Sequence, residues 1–177
     1  QCFTQPNGVI NQKMIRWLLR QCAATDTDLL ELYCGIGNFT LPLSQRFRNV
    51  LATELSKSAT AAARWNAQTN QTHNIEFARL SAEEMSAAMA GERPFRRLAG
   101  LKQPLQDYQF NTLLVDPPRA GLDAATLELS SAFKRVLYIS CNPKTLNDNL
   151  ATLSSTHSIE SLAFFDQFPY THHLESG

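Results

Sequence analysis

Short apolar runs alternate with longer amphipathic stretches along the chain. Leu29-Leu30-Glu31-Leu32-Tyr33, Val50-Leu51-Ala52-Thr53-Glu54 and Phe110-Asn111-Thr112-Leu113-Leu114-Val115 are short, rich in aliphatic residues and flanked by polar or turn-forming ones, which predicts strands. Asn74 to Ala78, Val136-Leu137-Tyr138-Ile139 and Ser158 to Phe165 read the same way. Helical patterns lie between them. Gly8 to Cys22 places Ile10, Met14, Trp17 and Leu18 on one face. Phe39 to Phe47 is helical, with Pro42 confined to a first turn or a distortion. Ser56 is suited to cap an Ala-rich helix from Lys57 to about Asn70. Ser81-Ala82-Glu83-Glu84 matches a capping box and opens a helix ending near Gly91. Further helices are predicted from Ala124 to Phe133 and from Lys144 to Ser154, and residues 91–108 read as an inserted surface loop.

Strand–helix alternation of this kind predicts an α/β fold with a doubly wound, mostly parallel, Rossmann-like sheet. Ligands of such sheets bind beyond the carboxyl ends of the strands. That rule gathers Cys34 to Asn38, Glu54, Asp116 to Arg119 and Cys141 on one rim. The chain begins without Met and ends at Leu174-Glu175-Ser176-Gly177, so it reads as a fragment of a longer protein.

Composition narrows the class. The 177 residues suit one domain, and an apolar share of 44% supports a core. No apolar run approaches the roughly 18 residues that span a bilayer, so no membrane partner is expected. Cys2, Cys22, Cys34 and Cys141 are scattered without a CxxC pair, which points away from a metal site or a disulfide framework and toward a reducing cytoplasm. The formal net charge is zero, which argues against a dedicated nucleic-acid-binding domain but not against an RNA-acting catalytic one.

The candidate cofactor loop is Tyr33-Cys34-Gly35-Ile36-Gly37-Asn38-Phe39, between a strand and a helix. Gly35 and Gly37 allow a sharp turn and close backbone approach to a ligand. A dinucleotide fingerprint would need a third glycine where Thr40 stands, which disfavours an NAD-dependent dehydrogenase. Glu54 closes the next strand, roughly 20 residues on, where a carboxylate accepts bonds from ribose hydroxyls. A G-x-G loop, an acidic second strand and no third glycine favour S-adenosylmethionine. Asp116-Pro117-Pro118-Arg119 follows the fourth strand, and its two prolines make a rigid rim that holds Asp116. Arg119 is either a cationic contact to phosphate or an ordinary surface arginine.

Cys141 stands in Ser140-Cys141-Asn142-Pro143, directly after an apolar strand, well placed for nucleophilic attack beside a cofactor. Its plain alternative is a small buried residue. Glu175, His172, His173 and Asp166, in a segment dense in aromatic and titratable residues, are candidate bases.

Phe3-Thr4-Gln5-Pro6-Asn7, Leu30 to Phe39, Asp116-Pro117-Pro118-Arg119-Ala120-Gly121-Leu122-Asp123, Ser140 to Pro143 and Phe165 to Glu175 come in an order that resembles the tRNA (uracil-5-)-methyltransferases over essentially the whole chain. Tyr33, and Tyr170-Thr171-His172-His173, favour the tRNA enzymes over the related ribosomal-RNA uridine methylases. The resemblance implies methyl transfer from S-adenosylmethionine to carbon 5 of the T-loop uridine of tRNA. It makes Cys141 the nucleophile and Glu175 the base, and gives Gln5, Tyr33, Asn38, Glu54 and Asp116, beside Gly35 and Gly37, to the cofactor. It also implies that a β-rich RNA-gripping amino-terminal half is absent, that the last strand continues past Gly177, and that Glu175, close to Gly177, is loosely held. The competing non-enzymatic reading is an RNA-docking module using Arg93, Arg96, Arg97 and Lys102, against a plain solvated loop.

Overall fold

A computed structural model describes residues 4–171 and 173–177. Five parallel strands form the main sheet: β1 (Asp28–Leu32), β2 (Val50–Thr53), β3 (Ile75–Ala78), β4 (Phe110–Val115) and β5 (Arg135–Tyr138), in the order β3-β2-β1-β4-β5. The helices are α1 (Gly8–Gln21), α2 (Thr40–Leu43), α3 (Lys57–Thr69), α4 (Ala82–Met89), α5 (Ala124–Ser131) and α6 (Pro143–Leu153). They cover two apolar layers. One gathers Met14, Leu18, Leu29, Leu43 and Ile139; the other gathers Leu30, Leu32, Leu51, Met85 and Leu113. Residues 28–32 are buried throughout, as expected of a central parallel strand covered on both faces.

Caps set the helix starts. Asn7, Ser56, Ser81, Asp123 and Asn142 each accept a backbone N–H of the first turn, and the capping box of Ser81 and Glu84 is closed in both directions. Pro42 sits in the first turn of α2, where its missing N–H costs little, and the helix tightens into a 3-10 turn over Ser44–Arg46.

The register aligns the strand ends. Leu32 pairs with Thr53 on one side and Val115 on the other, and Val115 pairs with Tyr138. The next residues, Tyr33, Glu54, Asp116 and Ile139, therefore leave the sheet in one row.

Two expectations are corrected. Ser158 to Phe165 is not a continuous strand. Within it only Ala163 to Phe165 is paired: Ala163 exchanges backbone bonds with Gly177, and β6 (Phe164–Phe165) runs antiparallel to β7 (Glu175–Ser176). Residues 158–162 stand off from β5 across an apolar groove of about 540 Å³, so they have no ladder partner. Residues 91–108 are not merely a surface loop. They make 3-10 turns over Arg96–Leu98 and Leu105–Asp107, and Phe95, Leu98, Leu101 and Leu105 pack onto the second layer. The cations there serve internal contacts. Arg97 bonds the Arg79 carbonyl and Glu84, the Lys102 ammonium bonds the His73 carbonyl, and Arg93 lies over the Phe95 ring at 4.7 Å. Among the described residues no helix is long and apolar enough to cross a membrane.

The amino end of the sheet, opposite the rim, is tied by Asp28 of the central strand, which is fully buried. Its carboxylate accepts from Arg48 at 2.9 and 2.5 Å, from the Asn49 N–H and side chain at 3.1 Å each, and from the Gln109 N–H at 2.7 Å. Burial alone would raise its pKa, but these donors hold it below the ordinary carboxylate range. A depressed folded pKa stabilises the fold above the unfolded value, and this contribution is lost as pH falls through the folded one. Asp28→Ala should therefore lower the unfolding free energy by about 3 kcal/mol near neutral pH. In urea melts the deficit should shrink between pH 5 and pH 3.

Candidate active site

The glycine loop leaves β1 through Tyr33, which has φ of 61°, unusual for a residue with a side chain. Gly37, at φ 86°, accepts no substitute easily, because a Cβ there would lie 2.7 Å from the Leu41 side chain. The loop is tied on two sides. Asn38 and Asn11 of α1 exchange side-chain amide bonds at 2.8 and 2.9 Å. Glu54 accepts the Gly35 N–H at 3.1 Å and the Ser56 N–H at 2.7 Å. These bonds aim the Glu54 carboxylate and use one lone pair of each oxygen, leaving others for hydroxyl donors. Tyr33 is half-buried, with its hydroxyl turned toward Thr126; burial first, then Asp123 and Glu83, push it up to about 12.

Glu31 is the unexpected member. It is 2% exposed, and its Oε2 has no hydrogen-bond partner. Burial, with the Asp116 charge adding to it, pushes its carboxyl up to about 8; the Thr40 hydroxyl beside it opposes this but stands outside regular hydrogen-bond geometry. Asp116 itself is pushed up to about 8 by burial and by Glu175, although part of its surface stays open and water there moderates the push. The signal for Glu31 was a charge inside an otherwise aliphatic strand run.

Two loops are latched together above β4 and β5. The Arg119 carbonyl accepts from the Asn142 amide at 2.9 Å and the Thr145 hydroxyl at 3.2 Å. Asn149 of α6, which sequence reasoning missed, accepts the Leu122 N–H at 2.9 Å and the Tyr138 hydroxyl at 2.8 Å. Its only sequence trace is a polar residue on the buried face of an amphipathic helix. The Arg119 side chain is exposed, so the residue's visible structural work is done by its backbone.

Cys141 lies between this latch and the chain's last residues. Ser140 and Ser176 exchange backbone bonds at 2.9 and 2.8 Å in an antiparallel bridge. That register sets Cys141 opposite Glu175. Glu175 is 3% exposed, and Gly177 exchanges bonds with Ala163 at 2.9 Å each. The expectation of a loosely held Glu175 is corrected: the short strand that carries it is bonded on both sides. Burial raises the Glu175 carboxyl. Among the other candidate bases, Asp166 and His173 are exposed, and the His173 ring stands edge-on to Phe168 at 5.9 Å. His172, like Cys2 and Phe3, lies outside the described residues.

The thiol is half-buried, and burial, then Glu175 and Asp116, push it up; Arg119 pulls the other way. The free protein therefore keeps Cys141 protonated near neutral pH. The arrangement can add a thiol to an electrophilic carbon and accept a proton across the strand gap. Among the described residues no group of His, Cys, Asp and Glu is placed to hold a metal ion. The orphaned Glu31 oxygen, the aimed Glu54 carboxylate and the crowded glycine turn fit a cofactor with hydroxyl and cationic groups.

The family model described as tRNA (Uracil-5-)-methyltransferase matches residues 1–177. A tRNA/tmRNA (uracil-C(5))-methyltransferase of Acinetobacter baylyi is 60% identical over 99% of this chain, and one of Neisseria meningitidis is 57% identical over the same share. The chain spans 48% of each, about half the length of these relatives. The crystal structure of Pyrococcus abyssi tRNA (uracil-54, C5)-methyltransferase with S-adenosyl-L-homocysteine superposes with a TM-score of 0.75 at 26% identity, over 98% of this chain and 38% of that one. The N-methyltransferase NodS of Bradyrhizobium japonicum, at 11% identity and a TM-score of 0.66, shares the fold over 96% of this chain and 95% of that one.

Two predictions test the site. A raised folded pKa means that Glu31 stabilises the fold at low pH, and that this contribution is lost as pH rises toward about 8 and beyond. Glu31→Gln should leave the melting temperature near pH 5 little changed and raise it by several degrees relative to wild type at pH 9. Removing the opposing charge in Glu175→Gln should lower the Cys141 pKa. Alkylation of the Cys141 peptide at pH 8, followed by mass spectrometry, should then run roughly two- to fivefold faster.

Proposed function

As the chain belongs to the tRNA (uracil-5-)-methyltransferase family, we propose that it is the catalytic domain of an enzyme that methylates carbon 5 of a tRNA uridine, that of the T loop, through a covalent cysteine adduct. The observation that carries this reading is the cross-strand pairing that sets Cys141 opposite Glu175. A cytoplasmic setting follows from a tRNA substrate.

S-adenosylmethionine, when bound, supplies an electrophilic methyl group. Gln5, Tyr33, Asn38, Glu54 and Asp116 would hold it around the turn made by Gly35 and Gly37, with the Glu54 carboxylate on ribose hydroxyls. Carbon 5 of uracil is a poor nucleophile. The Cys141 thiol gives its proton to solvent, its thiolate sulfur adds to carbon 6, and the electron pair of the ring double bond passes into an enolate that makes carbon 5 reactive. Once carbon 5 carries the methyl group, the Glu175 carboxylate takes the remaining proton there. The C–H pair re-forms the ring double bond, and the carbon–sulfur bond breaks to return the thiolate. Glu175 must be ionised to act, and because burial raises its carboxyl, a positive charge nearby is what holds it ionised. Arg119, exposed on the rim near Cys141, offers a phosphate contact that fixes the strand without reading its bases.

The reading is tested on the full-length enzyme with labelled cofactor and T-arm RNA, with a ribosomal-RNA fragment as the competing substrate. Label should pass to carbon 5 of the T-arm uridine. RNA carrying 5-fluorouridine should form an adduct that survives denaturing gels, because no carbon-5 proton is left to remove. Cys141→Ala should abolish both transfer and adduct, while Glu175→Gln should cut turnover by at least about 100-fold and accumulate adduct with normal RNA. Adduct formation that persists in Cys141→Ala would remove the nucleophile assignment.

A further inference from the structure

Gln167 is the most deeply buried polar side chain among the described residues between β6 and β7, at 1% exposure. Its amide nitrogen donates to the Gln5 Oε1 at 2.6 Å, joining the two ends of the chain. Its own Oε1 is buried and has no partner. An unmatched buried carbonyl oxygen is costly unless something outside the chain satisfies it. The residue lines a cavity of about 740 Å³ between the start of α1 and residues 167–171, beside Pro6, Gly8, Phe168 and Thr171. The same helix carries Asn11, which is bonded to Asn38 of the glycine loop. The helix that starts three residues after Gln5 is thus tied to the cofactor loop.

The polarity of the pair is decided by counting donors. With Gln167 donating, its Oε1 and one of its two N–H groups are left unmatched inside, and the Gln5 amide nitrogen has no partner among the described residues. The reverse orientation would strand the two N–H groups of Gln167 in the interior, the worse arrangement. The observed pair presents a donor, the Gln5 nitrogen, next to an acceptor, the Gln167 oxygen. Those are the complements of a carboxylate and an ammonium held on one carbon. From this juxtaposition we infer that Gln167 is a positioning and binding residue for the zwitterionic amino-acid end of the cofactor: it fixes the Gln5 amide with its nitrogen toward the carboxylate and offers its own oxygen to the ammonium. The inference rests on the cofactor assignment in the proposed function and goes beyond it, because Gln167 has no part in that assignment.

The test compares two ligands by calorimetric titration of the full chain. S-adenosylhomocysteine carries the amino-acid end; 5′-methylthioadenosine lacks it. Gln167→Met, which keeps length and loses both polar atoms, should weaken S-adenosylhomocysteine about tenfold and leave 5′-methylthioadenosine within about twofold. Gln5→Met should do the same, and the double variant should be no weaker than the worse single one, as expected of groups acting as a unit. If Gln167→Met does not fold, Gln167→Asn, which keeps the amide but shortens its reach by one methylene, carries the same ligand contrast. Equal weakening of both ligands, or unchanged affinity for S-adenosylhomocysteine, overturns the inference and leaves the cofactor reading standing. Wild-type protein that binds neither ligand overturns both.

Discussion

Ser140 gives its N–H to the Ser176 carbonyl at 2.9 Å and takes the Ser176 N–H at 2.8 Å, and the rest of the site is arranged around this exchange. It joins the end of β5 to the chain's last residues and fixes their register. Side chains in a strand alternate between faces, so a slip of one residue would turn Glu175 away from Cys141. The bridge is protected from such a slip by what lies beside it. Gly177 is paired with Ala163, and a Cβ at Gly177 would meet the Trp17 ring at 2.7 Å. Trp17 in turn stands edge-on to Phe165 at 5.9 Å. A short strand is thereby held as firmly as a longer one.

The electrostatics of the rim follow from the same geometry. Glu31, Asp116 and Glu175 succeed one another at or near the ends of β1, β4 and β7, each raised by burial, and the first two by a neighbour in the series as well. Three carboxyls this close and this dry do not all ionise without a compensating cation. The free site therefore keeps Glu31 and Asp116 largely protonated near neutral pH, and Cys141 with them. A ligand with positive charge changes that balance in the direction catalysis needs, favouring both a carboxylate base and, through solvent exclusion and orientation, productive use of the thiol. The same groups that make the free protein less stable at high pH make the site responsive to its ligand.

Most of the sheet was legible because parallel strands and their helices carry local signals: aliphatic runs, caps and turns. The capping box at Ser81 and the first-turn place of Pro42 depend on neighbours a few residues away, and both stand where the sequence puts them. The failures share a different cause. Ser158 to Leu162 has strand composition, but a strand exists only with a partner, and that partner is set by the fold. Residues 91–108 have loop composition, yet spaced apolar side chains tie them to the core. Glycines, prolines and Cys141 announced the rim; Glu31, Gln167 and Asn149 did not, because their importance lies in what faces them across the fold.

Thr40 shows how a departure from a familiar loop pattern can be constructive. In a dinucleotide site the third glycine lets a helix approach its strand closely. Here Thr40 is fully buried and sets its hydroxyl beside the Glu31 carboxyl. A glycine there would remove the one polar neighbour that eases the Glu31 charge. The loop thus exchanges close packing for control of a buried acid. A buried acid beside the sulfonium and ammonium charges of S-adenosylmethionine has a use that it lacks beside the pyrophosphate of a dinucleotide, where its charge would repel. Thr40, which breaks the fingerprint, and Glu31, orphaned behind it, thus act on one charge, the same charge that a cationic ligand would ease.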